Sequence, residues 1–298
     1  MQIVKIIGGL GNQMFEYAFS KAYSLVNQCE VLLDLSWFDE IKNLPECAVA
    51  KRVYELKHFS INPRFANIED VLYFTKPKKI LLPRFVRNFF NLPKYTNKVT
   101  NEKVEQVFDK KLLKKKNNIY FEGYFQTEKY FKAFREEILK DFTLKTELNE
   151  ENKKILEQIK NTESVSLHVR HGDYLKLQNV YKICSLEYYQ NAIDLIKDKV
   201  KNPHLYIFSD DIEWVRENFK LNCPYTIVDI NSTEEGYFDL ELMKNCKHNI
   251  TANSSFSWWG AWLNENPNKI VITPKTWFVN DDEKRIDRTP AEWLQLET

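Results

Sequence analysis

Residues 165–174 have the sequence VSLHVRHGDY, and the organisation of the second half of the chain follows from them. Apolar residues alternate with Ser166, His168 and Arg170, which is the two-residue period of a strand with one buried face. His168 and Arg170 are therefore predicted to share a face at the carboxyl end of this strand, before a turn at Gly172. Because an open α/β sheet binds its ligand just outside the carboxyl ends of its strands, the stretch indicates a site for a phosphate-bearing ligand.

The residues around this strand predict a parallel sheet. Strands are expected at 165–170, 205–209, 225–228, 249–252 and 269–273, and helices near 185–200, 211–219, 234–246 and 255–265. Strands that alternate with helices through short connections indicate a doubly wound sheet covered on both faces.

The first half of the chain predicts a second α/β fold. A buried strand at 2–7, a glycine-rich turn, a helix over 12–26 and a strand at 31–35 form its opening. Another strand is expected at 119–125. Apolar residues at helical spacing then predict one helix over 128–142, whose buried face would comprise Phe131, Phe134, Ile138 and Phe142.

Composition excludes several classes of protein. The net charge of +1 gives no overall field that would draw the chain to nucleic acid or to an anionic membrane. The five cysteines are odd in number and lack paired spacing, which favours reduced thiols, and the absence of a CxxC pair disfavours structural zinc. Since neither a signal-peptide pattern nor a run of about 18 apolar residues occurs, we expect a cytoplasmic protein with at most peripheral membrane association.

Polar side chains at the predicted strand ends are the candidates for ligand binding. Arg170 is a rigid fork that suits a diphosphate, and a structural salt bridge with Asp173 is the alternative. Asn253, Ser254 and Ser255 follow a strand and open a helix, whose unpaired amides bind anions; a plain serine N-cap is the alternative there.

Three more residues each have two interpretations. His168 belongs to the site or is a satisfied polar residue of the core. Asp210 contacts the ligand, or it is a helix N-cap that Glu213 completes as a capping box. Asp239 is a surface charge, or it accepts two hydrogen bonds from a guanine edge. Since the chain has no Asp-x-Asp triplet, the site is expected to need no metal ion.

The glycine-rich turn permits a competing interpretation. Gly9 and Gly11 begin a dinucleotide-binding pattern, but a methionine occupies the position of its third glycine. Asp34 ends the second strand where a ribose-binding acid would lie, so an NAD-linked oxidoreductase stays an alternative. In the other interpretation, the uncharged Asn12 and Gln13 hydrogen-bond a sugar hydroxyl.

Three ordered motifs identify a family. The stretches GGLGNQMFEYAF at 8–19, HVRHGDY at 168–174 and NSSFSWWGAWLNENP at 253–267 closely resemble the bacterial α-1,2-fucosyltransferases of glycosyltransferase family 11, as does GYF at 123–125. The resemblance implies a GT-B-like fold, with two Rossmann-like domains facing a cleft. It also implies an inverting, metal-independent transfer of L-fucose from GDP-β-L-fucose to the 2-hydroxyl of a terminal β-galactose, in an O-antigen or a blood-group H-like glycan.

The resemblance also implies roles for individual residues. Arg170 would grip the β-phosphate of the donor with support from His168 and Asp173, and Asn12 would face the fucose across the interdomain cleft. Ser254 and Ser255 would hold phosphate oxygens, and Asp239 would read guanine. The complete expected donor site comprises Gly9, Gly11, Gln13, Arg170, Asp173, Asp210, Asp239, Asn253, Ser254 and Ser255. The general base is not assigned, and its candidates are Asp34, Glu16 and His168. A catalytically silent nucleotide-sugar or glycan-binding protein is the alternative function.

At about 150 residues per domain, the 298-residue chain is expected to hold two domains. We place an N-terminal α/β domain, as the acceptor side, at 1–150 and the Rossmann-like GDP-fucose-binding domain at 151–298. The last about 20 residues are expected to pack back on the N-terminal domain. The stretch 36–118 is expected to form short helices and loops. Its lysine run at 110–116 is expected to be a solvated helix face, with a docking patch for anionic lipid as the alternative.

Overall fold

The computed structural model describes residues 1–42, 51–76, 81–89, 99–101, 107–114, 118–172, 175, 178–279 and 287–298. The chain divides into two compact units, the first comprising Met1–Lys57 and Ile61–Asp141 and the second comprising His58–Ser60 and Phe142–Thr298. The division thus follows Asp141 rather than residue 150. Phe59 belongs to the second unit because it forms an antiparallel bridge with Leu144 and packs its ring 5.8 Å from that of Phe142.

The first unit is built on a five-stranded parallel sheet. Its elements are β1 (Gln2–Lys5), α1 (Leu10–Asn27), β2 (Leu32–Asp34), α2 (Ser36–Lys42), β3 (Arg64–Phe65), α3 (Ile68–Thr75), α4 (Arg84–Phe89), β4 (Val99–Asn101), β5 (Ile119–Glu122) and α5 (Arg135–Asp141). The strand order is β3-β2-β1-β5-β4. On one side of β1 the strands β2 and β3 follow in chain order, whereas β5 and β4 lie on the other side. The direction of the strand order therefore changes between β1 and β5, and the carboxyl ends of these two strands flank a topological switch point.

The single helix predicted over 128–142 is wrong. The chain forms 3₁₀ turns at Glu128–Tyr130 and Lys132–Phe134 before α5 begins. Phe131 interrupts the helix because its backbone, at φ −133° and ψ −2°, is not helical. Its side chain is nevertheless fully buried, as are those of Ile138 and Phe142, so the apolar spacing identified core residues without identifying the element.

The second unit contains a six-stranded parallel sheet. Its elements are α6 (Glu150–Lys160), β6 (Glu163–Val169), α7 (Leu186–Lys199), β7 (Pro203–Ser209), α8 (Ile212–Asn218), β8 (Tyr225–Ile227), α9 (Gly236–Asn245), β9 (His248–Ile250), α10 (Ser255–Leu263), β10 (Val271–Pro274) and β11 (Leu294–Leu296). The order β8-β7-β6-β9-β10-β11 is the 3-2-1-4-5-6 order of a Rossmann sheet.

Helices cover both faces of this sheet. Leu167 packs with Ile193 of α7 and Val215 of α8 on one face. On the other face, Phe208 of β7 packs with Ile159 of α6 and Leu242 of α9. The predicted fold class, α/β with two Rossmann-like domains and a doubly wound C-terminal sheet, is therefore confirmed.

One expectation about this sheet is wrong. β6 was predicted to bury one face, but every residue from Ser164 to Val169 is buried, because helices cover both faces. Ser166 is satisfied inside the sheet, where its Oγ accepts a 2.7 Å hydrogen bond from Asn249 Nδ2. At the end of the chain, β11 pairs in parallel with β10, and the expected packing of the last residues on the first unit stays a prediction. Within the described residues, no helix combines the length and the apolar composition that crossing a bilayer requires.

Candidate functional site

The switch point of the second sheet brings together the two stretches that the sequence singled out. β6 and β9 are neighbours, and strand order runs outward from them in opposite directions. Arg170 follows β6 at once, and Ser254 and Ser255 stand between β9 and the body of α10. A crevice at such a point is where doubly wound sheets bind ligands.

Asp210, at the end of the neighbouring strand β7, holds the segment after β6 in place. Its Oδ2 lies 3.5 Å from Arg170 Nε, and its Oδ1 accepts a 2.9 Å hydrogen bond from the backbone N–H of His171. A Cβ atom added to Gly172 would lie 3.3 Å from the Asp210 carbonyl oxygen, so the backbone passes close to this residue. Asp210 therefore positions the arginine loop. Asp173, the predicted partner of Arg170, lies outside the described residues.

The N-cap role considered for Asp210 belongs to the next residue. Asp211 Oδ1 accepts a 3.2 Å hydrogen bond from Trp214 N at the start of α8. Its other oxygen, Oδ2, accepts a 2.8 Å hydrogen bond from His171 Nδ1, and the His171 ring stacks on Trp214 with centroids 4.1 Å apart. His171 was not predicted as a site residue, although it lies inside the HVRHGDY motif. Asp211 fixes the tautomer of this ring, with the proton on Nδ1.

His168 is buried beneath Arg170. Its side chain is 4% exposed, and among the described residues its Nδ1 has no hydrogen-bond partner. Burial, helped by the positive charge of Arg170, lowers the pKa of His168 to about 3. The imidazole is therefore neutral at physiological pH and is a weak base. It can orient a ligand through a hydrogen bond, but it adds no positive charge.

The N-terminus of α10 forms the other side of the switch point. Ser254 is the N-cap of α10, because its Oγ accepts a 3.3 Å hydrogen bond from Phe256 N. A serine N-cap was the predicted alternative to anion binding at this position. Ser255, the first helical residue, is half-buried. Amides of this first turn, at the positive end of the helix dipole, suit an anion.

Asn253 has a structural position. Its side chain is fully buried, and its Nδ2 donates hydrogen bonds to the carbonyl oxygens of Lys182, at 2.6 Å, and Trp277, at 3.0 Å. Both protons of its side-chain amide join loops of the protein, and a contact of Asn253 with the donor stays a prediction. It fixes the segment from which α10 begins.

Asp239 lies in the first turn of α9, which packs against α10. A Cβ atom added to Gly236, at the start of α9, would lie 3.7 Å from the ring of Phe256. Asp239 Oδ1 accepts a 2.7 Å hydrogen bond from Asn231 Nδ2, and Asn231 in turn exchanges hydrogen bonds with Asn152. Burial raises the pKa of Asp239 to about 7. A buttressed, half-buried carboxylate of this kind is not the plain surface charge considered above.

In the first unit, Asn12 lies at the other switch point. Its Oδ1 accepts a 2.9 Å hydrogen bond from Gln126 Nε2, which follows β5. Gly8 has a φ of +74°, and a Cβ atom there would lie 2.7 Å from Asn12 Nδ2, so this position requires glycine. Gly9 is the N-cap of α1, and Gly11 is buried within the helix.

Gln13, which is predicted to bind the donor, joins the glycine-rich turn to a distant segment of the chain. It is fully buried, and its Nε2 donates to the carbonyl oxygens of Gly8, at 3.0 Å, and Val53, at 2.8 Å. Its Oε1 accepts a 2.9 Å hydrogen bond from Glu55 N. With both ends of its amide bonded inside the fold, Gln13 positions the loop, and its contact with the donor stays a prediction.

This segment carries charged residues that the sequence analysis missed. The Arg52 guanidinium carbon would lie 3.7 Å from a Cβ atom on Gly9. Burial raises the pKa of Glu55 to about 7, against the lowering effects of Arg52 and of a hydrogen bond from Leu10 N. No local spacing marks either residue, because only the folded turn brings residues 52–55 to the start of α1.

Two candidates for the general base, Asp34 and Glu16, accept hydrogen bonds within the first unit. Asp34 is 1% exposed, and its carboxylate accepts hydrogen bonds from Ser36 N, Ser36 Oγ and Tyr120 OH at 2.8, 3.1 and 2.5 Å. Glu16 is fully buried, and its Oε2 accepts a 2.8 Å hydrogen bond from Ile7 N. Both carboxylates thus accept hydrogen bonds inside the fold, and the identity of the general base stays open.

Known proteins resemble this chain over its whole length. Residues 4–297 match the model of the family described as Glycosyl transferase family 11. An alpha-1,2-colitosyltransferase of Escherichia coli is 31% identical over 99% of this chain and 98% of its own length. The O-antigen biosynthesis glycosyltransferase WbnK of Escherichia coli is 33% identical over 97% and 98%, respectively. The galactoside alpha-(1,2)-fucosyltransferase 2 of Rattus norvegicus is 26% identical over 88% and 67%. These matches overturn the NAD-linked alternative, and the chain belongs to glycosyltransferase family 11.

Proposed function

We propose that this protein is a galactoside α-1,2-L-fucosyltransferase. It transfers L-fucose from GDP-β-L-fucose to the 2-hydroxyl of a terminal β-galactose, with inversion at the anomeric carbon. The observation that carries the proposal is the placement of Arg170, braced by Asp210, at the same switch point as the N-terminus of α10. The resemblance to galactoside α-1,2-fucosyltransferases over most of the chain supports the acceptor and the linkage.

The chemistry of the leaving group explains this choice of residues. The acceptor hydroxyl gives its proton to a general base or to water, and its oxygen forms a bond to C1 of fucose. The bond from C1 to the β-phosphate oxygen breaks, and that oxygen keeps the electron pair. Negative charge therefore grows on the diphosphate as the sugar becomes cationic. The fixed guanidinium of Arg170 and the amides of α10 stabilise that charge most strongly in the transition state. Neutral His168 orients the diphosphate through its Nδ1 or Nε2.

Asp239 recognises the base. An ionised carboxylate accepts two hydrogen bonds, which matches the N1–H and amino group on one edge of guanine. Asn231 holds Oδ1 of that carboxylate at 2.7 Å and so sets its orientation. Adenine and uracil do not present this pair of donors, so the site should select GDP-sugars.

A second candidate differs only in the donor sugar. A relative that is 31% identical over 99% of this chain is a colitosyltransferase, and colitose is L-fucose without its 3-hydroxyl. An enzyme that hydrogen-bonds this hydroxyl would disfavour the 3-deoxy sugar by ~10⁴ or more, whereas a site that leaves the hydroxyl in water would accept both sugars.

One transfer assay tests both candidate donor sugars. The protein is incubated with GDP-fucose or GDP-colitose and a panel of β-galactosides, and the product linkage is determined by NMR. An α-1,2-fucosylated galactoside is the expected product. Preferred transfer of colitose would replace the proposal with the second candidate. GDP binding without transfer or donor hydrolysis would instead identify a silent binding protein.

A further inference from the structure

The most exposed large apolar side chains of the described residues lie in one short segment of the first unit. Leu81, Phe89 and Phe85 are 91%, 83% and 75% exposed, and the next residue in this ranking is Ile68 at 64%. They recur at intervals of four residues, and Phe85 and Phe89 share one face of α4. Single exposed apolar residues are ordinary, whereas a contiguous group marks an interaction surface.

The charge of this segment has one sign. From Val71 to Asn101 the sequence contains seven Lys or Arg residues and no Asp or Glu, although the whole chain has 43 basic and 42 acidic residues. Lys76 and Arg84 are both exposed. The remaining residues are therefore net acidic, and the positive excess of the sequence falls in this stretch. An overall charge near zero conceals this local charge.

We propose that Leu81, Phe85, Phe89 and Arg84, here called the α4 face, dock on the interface of an anionic phospholipid bilayer. An apolar stripe flanked by basic residues is the composition of interfacial segments, in which aromatic and aliphatic side chains enter below the headgroups. The basic side chains stay at the level of the lipid phosphates. The proposal is independent of the donor, because the residues proposed to bind GDP lie in the second unit.

A second copy of this chain is the competing occupant. In a symmetric dimer the same patch would face itself, so the arginines of the two copies would approach each other. This segment has no acidic residue to neutralise them. An anionic bilayer supplies the missing negative charge, and charge complementarity therefore favours lipid over self-association.

Vesicle flotation of the full chain tests the proposal. The protein should bind phosphatidylcholine vesicles that contain about one third phosphatidylglycerol, should bind pure phosphatidylcholine at least tenfold more weakly, and should be released at about 0.5 M salt. The triple variant Leu81→Ser, Phe85→Ser, Phe89→Ser should bind about tenfold or more weakly than the unchanged protein. Arg84→Glu should lose more than about fivefold, the factor expected for one basic residue at such a surface.

Matched variants separate this surface from others. Val279→Ser removes an apolar side chain that is 54% exposed in the second unit, and Lys110→Glu with Lys111→Glu alters the lysine run. Both should float as the unchanged protein does. The circular dichroism spectrum and the thermal unfolding curve of the triple variant should match those of the unchanged protein, which verifies its fold.

Three results would overturn the proposal. They are equal vesicle binding by the triple variant, loss of binding only in the lysine-run variant, and a dimer in light scattering that the triple variant converts to monomer. Failure of transfer to any galactoside, with vesicle binding intact, would count against the proposed function alone.

Discussion

Arg170→Ala removes the guanidinium that, in the proposed reaction, donates two charge-assisted hydrogen bonds to the leaving diphosphate. Each bond to a charged group contributes about 1.5–3 kcal/mol, so their joint loss should lower kcat/KM by ~10²–10⁴. The side chain is 21% exposed and contacts Asp210 at 3.5 Å. Asp210 keeps its hydrogen bond from His171 N in the variant, so the loop should retain its path.

The assay is release of GDP at saturating acceptor, with GDP affinity measured separately by calorimetry. Arg170→Lys keeps the charge but loses the fork, so its kcat/KM should lie between those of the unchanged protein and Arg170→Ala. Lys145→Ala, which removes an exposed cation elsewhere in the second unit, is the matched control and should be neutral. If Arg170→Ala is folded by circular dichroism and retains near-normal kcat/KM, the reasoning about the diphosphate is refuted.

Three further outcomes can be measured on the same protein. EDTA should leave transfer unchanged, because the guanidinium and the α10 amides are proposed to hold the diphosphate; strict dependence on added Mn²⁺ or Mg²⁺ would contradict this. GDP affinity should rise with pH through about 7, because burial raises the pKa of Asp239 to about 7 and only the ionised form accepts both guanine hydrogen bonds. Calorimetry on Asp239→Asn should show a smaller rise, and an identical pH profile would remove Asp239 from guanine binding. Burial also raises the pKa of Glu55 from 4.5 to about 7, so its contribution to stability is complete below pH 4.5 and is lost as pH rises to about 7. Glu55→Gln should lack this decline of about 1–3 kcal/mol in denaturant unfolding, and parallel curves for the two proteins would contradict it.

Much of the second unit could be predicted because its strands are short apolar runs between polar helices. The pattern misled at β6, where Ser166 resembles a surface residue but bonds to Asn249 inside the sheet. It also misled after Thr127, where Phe131 has helical spacing but a non-helical backbone. The spacing of hydrophobic residues indicates which positions are buried, whereas tertiary contacts decide the path of the backbone.

The site was predictable only in part. The rule that ligands bind at the carboxyl ends of strands identified Arg170 and Ser255, and the fold places both at the switch point of the second sheet. Asp239 was assigned through the family resemblance. Gln13 could not be assigned, because its partner Val53 is 40 residues away and backbone carbonyls leave no trace in a sequence. The charged Glu55 was overlooked for the same reason, since its environment exists only after folding.

The consecutive carboxylates Asp210 and Asp211 constrain how this protein can change. Asp210 contacts Arg170 and Asp211 contacts His171, so each pair joins residues about 40 positions apart in the chain. Random libraries confined to the HVRHGDY stretch would therefore return mostly inactive clones, since each new side chain must still match an unaltered counterpart on the next strand. Paired libraries that vary both stretches together are the better route to altered donor preference.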